Sequence, residues 1–171
     1  MLIKSDLLEL LRGKSIDFQI HEHKPLFTVE DSEKHRGEMG GAHTKNLFLK
    51  NKKEQFFLLS CDENAVVNLK QFSKAIEAKN LSFADEKYLD KYMGIKPGSV
   101  SPFALLNDTT NTVSFYFDKK LAESKVINFH PLINTATISI KTKDFIEFIL
   151  EKNKKINISS LESYSVIKTY E

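Results

Sequence analysis

The sequence predicts an α+β fold with a mixed, mostly antiparallel sheet and flanking helices. Short apolar segments with the alternation of strands outnumber the helical segments along the 171 residues. Several of these strand segments follow each other too closely for the helical crossovers that parallel strands need. A hydrophobic content of 41% with 28% charged residues is typical of a globular chain.

The N-terminal region predicts a helix, a strand and a second helix. Ser5 is the expected cap of a helix over residues 6–12, and Gly13 ends it. Thr28 and Asp31 resemble a capping box and predict a polar helix in the residues that follow. Between the two helices, apolar and polar residues alternate as in a half-buried strand, at Ile16, Phe18 and Ile20.

The centre of the chain predicts a β-hairpin followed by capped helices. Its strands are expected at residues 45–50 and 55–61, joined by the polar turn 51–54. Asn68 and Asp85 are each the expected cap of a helix.

The C-terminal half begins with a Pro- and Gly-containing loop at residues 96–102. Thr142 is the expected cap of a final amphipathic helix. We expect one domain over residues 1–153 and a polar C-terminal tail with some flexibility over residues 154–171. Further strands are predicted at residues 113–117, 126–129 and 135–140.

Charge and cysteine content exclude several classes of protein. Lys and Arg number 25 against 23 Asp and Glu, so the net charge of +2 excludes a polybasic nucleic-acid binder. One cysteine excludes a disulfide framework and a closed cysteine zinc site. The chain has neither an apolar run long enough to span a membrane nor the apolar N-terminal stretch of a signal peptide. We therefore expect a cytoplasmic monomer with no membrane partner.

The histidines suggest two interpretations. His21 and His23 are two residues apart at a strand end, which is the spacing of a two-ligand metal element. His35 or His43 would have to supply a third ligand, and no spacing fixes either of them. We therefore favour a polar strand end with solvated imidazoles over a metal site.

Three other features each allow a functional and a structural interpretation. Cys61 follows an apolar run and is expected to be a core residue, because nothing places a base beside it.

The loop with Ser99 and Ser101 lacks the Gly-x-Ser-x-Gly of a hydrolase elbow. Gly98 lets the backbone approach a ligand, so the loop is either a nest of free N–H groups for an oxyanion or an ordinary turn. Lys45, at the start of a strand, is either solvated or a point charge for a phosphate or carboxylate.

Taken in order, these features resemble the prolyl-tRNA editing (YbaK-type) family, and in particular its freestanding alanyl-tRNA(Pro) deacylases. The resemblance spans about residues 6–150, and the second and third of its segments are specific as a pair. The segments are His21-Glu22-His23 with Phe27-Thr28-Val29-Glu30, Lys45-Asn46-Leu47-Phe48-Leu49, Gly98-Ser99-Val100-Ser101-Pro102-Phe103, and His130-Pro131 with Asn134.

The resemblance implies a curved sheet and hydrolysis, in trans, of amino acids wrongly esterified to tRNA(Pro), without a metal or other cofactor. It implies that Lys45 engages the substrate terminus at the phosphate of the terminal adenosine. It also implies that backbone amides of the loop hold and polarise the aminoacyl carbonyl. The loop consists of Gly98, Ser99, Val100, Ser101 and Pro102, of which the proline has no N–H to donate. His130 would shape the amino-acid pocket, to which Thr28, Asn46 and Asn134 are also assigned.

Selectivity for alanine would follow from size. A synthetase site that fits proline cannot strongly exclude the smaller alanine, and a second, smaller pocket that rejects proline completes a double sieve. The partners implied are the aminoacylated 3′ end of tRNA(Pro) and, transiently, prolyl-tRNA synthetase.

Three alternatives stay open at this point. A cysteinyl-tRNA(Pro) deacylase belongs to the same family. A noncatalytic aminoacyl-tRNA-binding module could share the fold. A histidine-dependent metalloenzyme would contain stoichiometric zinc and lose activity with a chelator.

Overall fold

The computed structural model describes residues 1–25, 28, 30 and 39–171. In this part of the chain one sheet has the strand order β1-β7-β6-β2-β3-β5-β8-β9, and β4 pairs with β2. Parallel pairs join β2 to β6, β3 to β5 and β5 to β8, and the other five pairs are antiparallel. The predicted mixed, mostly antiparallel α+β sheet is therefore confirmed. The strands are β1 Phe18–Glu22, β2 Ala42–Lys50, β3 Phe56–Asp62, β4 Ser82–Phe83, β5 Val113–Asp118, β6 Val126–Phe129, β7 Ala136–Lys141, β8 Ile156–Ser160 and β9 Ser165–Tyr170.

Short helices connect and cover the strands. A π-helical turn, Leu89–Met93, continues directly from α3, and a 3-10 helix, Pro102–Asn107, follows the Gly- and Pro-containing loop. The α-helices in the described part are α1 Lys4–Gly13, α2 Leu69–Ala75, α3 Glu86–Tyr88, α4 Lys119–Ala122 and α5 Thr142–Glu151.

The main core lies on one face of the sheet and is rich in phenylalanine. Phe103 packs its ring edge-on against Phe145 of α5 at 5.5 Å and against Phe129 of β6 at 6.0 Å, measured between ring centroids. Phe145 also contacts Phe117 of β5, with centroids 5.7 Å apart. Strands β6 and β5 are separated by β2 and β3 in the sheet, so this one cluster joins distant strands.

A smaller core covers the opposite face of the β2–β3 hairpin. Phe72 of α2 is almost fully buried and packs with Leu49 and Leu59. Tyr116 of β5 meets the Phe72 ring edge-on, with centroids 5.5 Å apart. The hairpin therefore lies between two apolar layers, which explains why nearly every residue of β3 is buried.

Local signals for the hairpin and for α2 are confirmed. The two hairpin strands pair antiparallel from Thr44↔Asp62 to Lys50↔Phe56. Asn68 caps α2, since its Oδ1 accepts a hydrogen bond of 3.0 Å from the amide of Gln71.

Two predicted helix caps are wrong, and a third has the predicted position without the capping bond. Helix α1 begins at Lys4, where Asp6 accepts a hydrogen bond from the Ile3 amide, so Ser5 lies inside the helix. Asp85 occupies the N-cap position of α3 as predicted, but its carboxylate binds the Lys50 ammonium at 2.7 Å and does not bond the helix amides. Thr142 is the first residue of α5, and its buried hydroxyl has no partner within the described chain. The box of Thr28 and Asp31, with its helix, falls outside the described residues.

Residues after Asn153, expected to be a polar tail, form β8 and β9. Strand β8 pairs parallel with β5 and antiparallel with β9. Ile156 and Ile158 of β8 are buried in the main core. The boundary at residue 153 therefore does not separate a tail from the sheet, because alternate apolar residues after it complete the core.

No helix within the described residues is both long and apolar enough to cross a membrane.

The C-terminal hairpin should contribute to stability through its buried face only. We expect Ile156→Ala to lower the free energy of unfolding by about 2–5 kcal/mol, because Ile156 is fully buried. Ile167→Ala on β9 removes a side chain of similar size that is 53% exposed, so its effect should stay within about 0.5 kcal/mol. Urea denaturation measures both, and equal small effects would contradict a core role for β8.

Candidate functional site

Lys45 lies on β2 opposite Cys61 of β3 and is half-buried. Its ammonium donates a hydrogen bond to the backbone carbonyl of Ala65, in the connection between β3 and α2. In the described part of the chain no carboxylate forms an ion pair with it. A carbonyl accepts a hydrogen bond but does not neutralise the cation, so the described chain leaves the positive charge of Lys45 without a counterion.

Cys61 is fully buried beside this lysine. Burial raises the pKa of its thiol to about 12, although the charge of Lys45 acts in the opposite direction. A thiol that stays protonated at neutral pH is a poor nucleophile. The interpretation of Cys61 as a core residue is confirmed.

The loop from Gly98 to Pro102 is a bonded turn that leaves several amides unused. Gly98 has a φ of 85°, a left-handed conformation that favours glycine, and the Ser99 amide donates to the Lys96 carbonyl at 3.1 Å. Within the described chain the amides of Gly98, Val100 and Ser101 have no hydrogen-bond acceptor. Consecutive unused amides are the feature that a backbone anion site needs.

The serine side chains of this loop are structural. Ser101 is fully buried, and its hydroxyl oxygen accepts a hydrogen bond of 3.3 Å from the Phe103 amide at the start of the 3-10 helix. Ser99 is also buried, with 6% of its surface exposed. Pro102 occupies the first helical position, where its missing N–H costs nothing. The Ser101 hydroxyl is therefore used within the loop itself.

The loop is held near the end of β6 through the core. Phe103 follows the loop directly, and its ring packs on Phe129, the last residue of β6. His130 comes next in the chain. No hydrogen bond or ring contact in the described part joins the loop itself to Lys45 or to His130.

His130 is held in a defined protonation state. Its Nδ1 donates to the Ala136 carbonyl at 2.9 Å, since a carbonyl oxygen can only accept, and this leaves Nε2 as an acceptor in the neutral ring. Burial lowers the pKa of His130, and the nearby His23, whose ring centroid is 6.0 Å away, lowers it further. His130 is therefore neutral at physiological pH.

Lys45 and His130 both follow the short pairing between β2 and β6. These strands run parallel, and their pairing ends with His43 opposite Asn128. Lys45 lies two residues beyond that pair within β2, and His130 lies two residues beyond it, just after the end of β6. The two residues are therefore equally far along the chain from the same junction.

The other three predicted pocket residues differ in position and exposure. Asn46 is on the opposite face of β2 from Lys45, where its Oδ1 accepts a hydrogen bond from the Ser60 hydroxyl. Asn134 is half-buried in the turn between β6 and β7. Thr28 is exposed.

The proposed metal ligands have other partners. His23 donates from Nδ1 to the Lys24 carbonyl at 2.8 Å, and its Nε2 accepts from the Thr137 hydroxyl at 2.9 Å. The Nε2 of His21 lies 3.3 Å from the Ser139 hydroxyl. Across the described residues no group of three His, Cys, Asp or Glu side chains could hold a metal ion. His35 falls outside the described residues.

Sequence patterns missed the contacts that surround these side chains. The Ala65 carbonyl carries no signal in a sequence, because any residue has a carbonyl. Thr137 supports His23 only because β1 and β7 pair in a register that sets His21 opposite Thr137.

Comparison with known proteins assigns this arrangement to a family. The family model of the aminoacyl-tRNA editing domain matches residues 23–148, and the chain belongs to that family. A prolyl-tRNA editing protein ProX from Acetoanaerobium sticklandii is 36% identical over 155 residues, covering 90% of this chain and 92% of the relative. A prolyl-tRNA synthetase associated domain-containing protein 1 from Danio rerio is 34% identical over 151 residues, covering 87% of this chain and 82% of the relative.

The fold is also similar to that of a solved structure from the same field of function. A solved structure described as a candidate trans-editing enzyme for prolyl-tRNA synthetase superposes with a TM-score of 0.68 over 94% of this chain and 97% of that one, at 14% sequence identity. The resemblance to prolyl-tRNA editing proteins is therefore confirmed at the level of family and fold.

The buried, neutral His130 should make stability depend on pH. The folded state holds the pKa of His130 below its ordinary value of 6.5, so the unfolded chain binds a proton first as the pH falls. We expect the free energy of unfolding to fall as the pH drops through 6.5, and a His130→Gln variant to lack this component. Urea denaturation at about pH 7.5 and about pH 5.5 measures the difference. An equal pH dependence in both proteins would contradict the lowered pKa.

Proposed function

We propose that this protein hydrolyses the ester bond of alanyl-tRNA(Pro) in trans and so removes alanine that prolyl-tRNA synthetase has attached wrongly. The observation that carries the proposal is the half-buried ammonium of Lys45, which has a carbonyl partner but no counterion in the described chain. A cation in this state favours an anionic ligand. The phosphate of the terminal adenosine is such a ligand at the required end of the substrate.

The loop amides would bind the aminoacyl carbonyl. Gly98, Val100 and Ser101 have amides without an acceptor in the described chain, and Ser99 and Pro102 keep the turn in shape. Preorganised N–H groups stabilise the negative charge that develops on a carbonyl oxygen when water attacks it. In this role the loop is the catalytic element, although none of its side chains reacts.

Hydrolysis of an aminoacyl ester requires little more than correct positioning of the reacting groups. An aminoacyl ester is already activated, so a bound substrate, a polarised carbonyl and a placed water are sufficient for useful rates. Water adds to the carbonyl carbon, the ester C–O bond breaks, and the ribose hydroxyl leaves with a proton. This mechanism uses neither the protonated Cys61 thiol nor the buried serine hydroxyls.

The amino-acid pocket is assigned to His130, with Thr28 and Asn134 as further substrate contacts. Asn46 is not assigned to it, because its side chain lies on the other face of β2 and bonds the Ser60 hydroxyl. The bond from His130 Nδ1 to Ala136 fixes the ring, so the imidazole is a wall of defined position. A fixed wall supports discrimination by size, which is what separates alanine from proline.

A cysteinyl-tRNA(Pro) deacylase is the second candidate, because cysteine is also smaller than proline. A noncatalytic aminoacyl-tRNA-binding module is the third. Against it stands the presence of Lys45 together with the complete Gly98–Pro102 loop. The proposed partners are the 3′ end of tRNA(Pro) and, transiently, prolyl-tRNA synthetase, and the proposed state is a cytoplasmic monomer without a cofactor.

Deacylation assays test the assignment of Lys45. We expect ester loss from alanyl-tRNA(Pro) in preference to the Cys-, Ser- and Pro-charged forms. Lys45→Ala should lower kcat/KM by about ten- to a hundredfold, because a charge-assisted contact to the substrate is lost. Lys143→Ala is the matched control, since that lysine lies on α5 with 82% of its side chain exposed.

Two results would count against the proposal. Absence of ester loss from all four charged tRNAs would exclude the enzyme. Full activity of the Lys45 variant, with normal activity of the control, would exclude the site.

The size of the pocket is tested at His130. We expect His130→Ala to reduce the ratio of alanine to proline hydrolysis by about tenfold, because a shorter side chain admits the larger ring. His21→Ala removes a histidine of β1, which β7 separates from β6, and should leave the ratio unchanged. An unaltered ratio in a folded His130→Ala enzyme would show that another residue rejects proline.

A further inference from the structure

The turn that follows β3, residues 62–66, is tied to β2 beside Lys45. Its start is fixed by the Glu63 amide, which donates to the His43 carbonyl at 3.0 Å. Asp62 closes the turn, since its carboxylate accepts from the Asn64 amide at 2.9 Å and its carbonyl accepts from the Ala65 amide at 3.0 Å. The turn is therefore a bonded part of the sheet and not a loose connection.

This turn presents two different groups next to each other. The Ala65 carbonyl points at the Lys45 ammonium and accepts its hydrogen bond. The next side chain, Val66, is 91% exposed. Because consecutive Cα atoms are only about 3.8 Å apart, the backbone of Val66 lies close to the carbonyl that binds the cation.

A single exposed valine on a protein surface is common and needs no explanation by itself. Here the three residues before it are held by hydrogen bonds of their amides, and it directly follows the carbonyl that binds the charged group assigned to the substrate. A fixed cation with an apolar neighbour complements a nucleotide, in which a phosphate is followed by the C–H groups of a ribose and the face of a base. Inorganic phosphate would leave the apolar neighbour unused.

We propose that Val66 is a substrate contact that supports the ribose and base of the terminal nucleoside while Lys45 holds its phosphate. This inference rests on the proposed function, because it takes an aminoacylated RNA end as the ligand of Lys45. The Lys45 ammonium has three donors, so it can keep the Ala65 carbonyl and bind a phosphate oxygen together. The turn thus positions the cation and the apolar contact as one unit.

Steady-state deacylation of alanyl-tRNA(Pro) with Val66→Ala and Val66→Thr tests this. Both changes remove apolar contact without adding charge. Val66 is exposed, so we expect both variants to fold, and a thermal melt checks this. We expect KM to rise by about three- to tenfold with kcat unchanged, because the contact is lost from ground state and transition state alike. Val166→Ala and Val166→Thr on β9 are the matched controls, and their KM should equal that of the wild type.

The outcomes separate this inference from the function on which it rests. If the wild type releases alanine in a Lys45-dependent way but both Val66 variants keep the wild-type KM, the Val66 contact is wrong and the proposed function stands. A lower kcat with unchanged KM would also overturn the contact, since it would indicate a disturbed turn. If the wild type releases no amino acid from any charged tRNA, the proposed function itself fails, and the Val66 contact fails with it.

Discussion

The short parallel pairing between β2 and β6 is the constraint on which the candidate site depends. It joins the two halves of the sheet through only two residue pairs, and the buried Asn128 reinforces it. The side-chain amide of Asn128 donates to the backbone carbonyls of Gly40 and Ala42 at 2.9 and 3.1 Å. The backbone carbonyl of Asn128 accepts a hydrogen bond of 2.7 Å from the Thr44 hydroxyl. Lys45 and His130 each follow this junction by two residues, so it is the nearest fixed point that the two share.

The site that results is built largely from backbone groups. A backbone carbonyl holds the Lys45 ammonium, another holds His130, and the Gly98–Pro102 loop offers amides. Backbone donors and acceptors are rigid where the surrounding chain is bonded, so they need no side-chain ordering when a ligand arrives. A protein that edits an activated ester can depend on such groups, and its net charge of +2 is compatible with binding only the end of an RNA.

The sequence predicted well wherever a signal is local. The hairpin and the Asn68 cap follow from alternation and from a side chain that bonds three residues away. Prediction failed where a distant partner competes. Asp85 has the right type for a cap but binds Lys50, and the expected tail after Asn153 forms two strands because β5 offers it a free edge. A single sequence does not reveal the competitor in either case.

For the site, the sequence by itself determined the residue types and their order: a lysine at a strand start, a Gly- and Pro-containing loop, and a histidine before a proline. Their resemblance to prolyl-tRNA editing proteins was sufficient to identify the family. Only the tertiary structure decided which groups face each other. It tied Lys45 to the Ala65 carbonyl, set His130 beside His23 and turned Asn46 to the other face. The physical reason is that charge, protonation state and orientation depend on neighbours that strand pairing supplies, and register between distant strands is not written in local spacing.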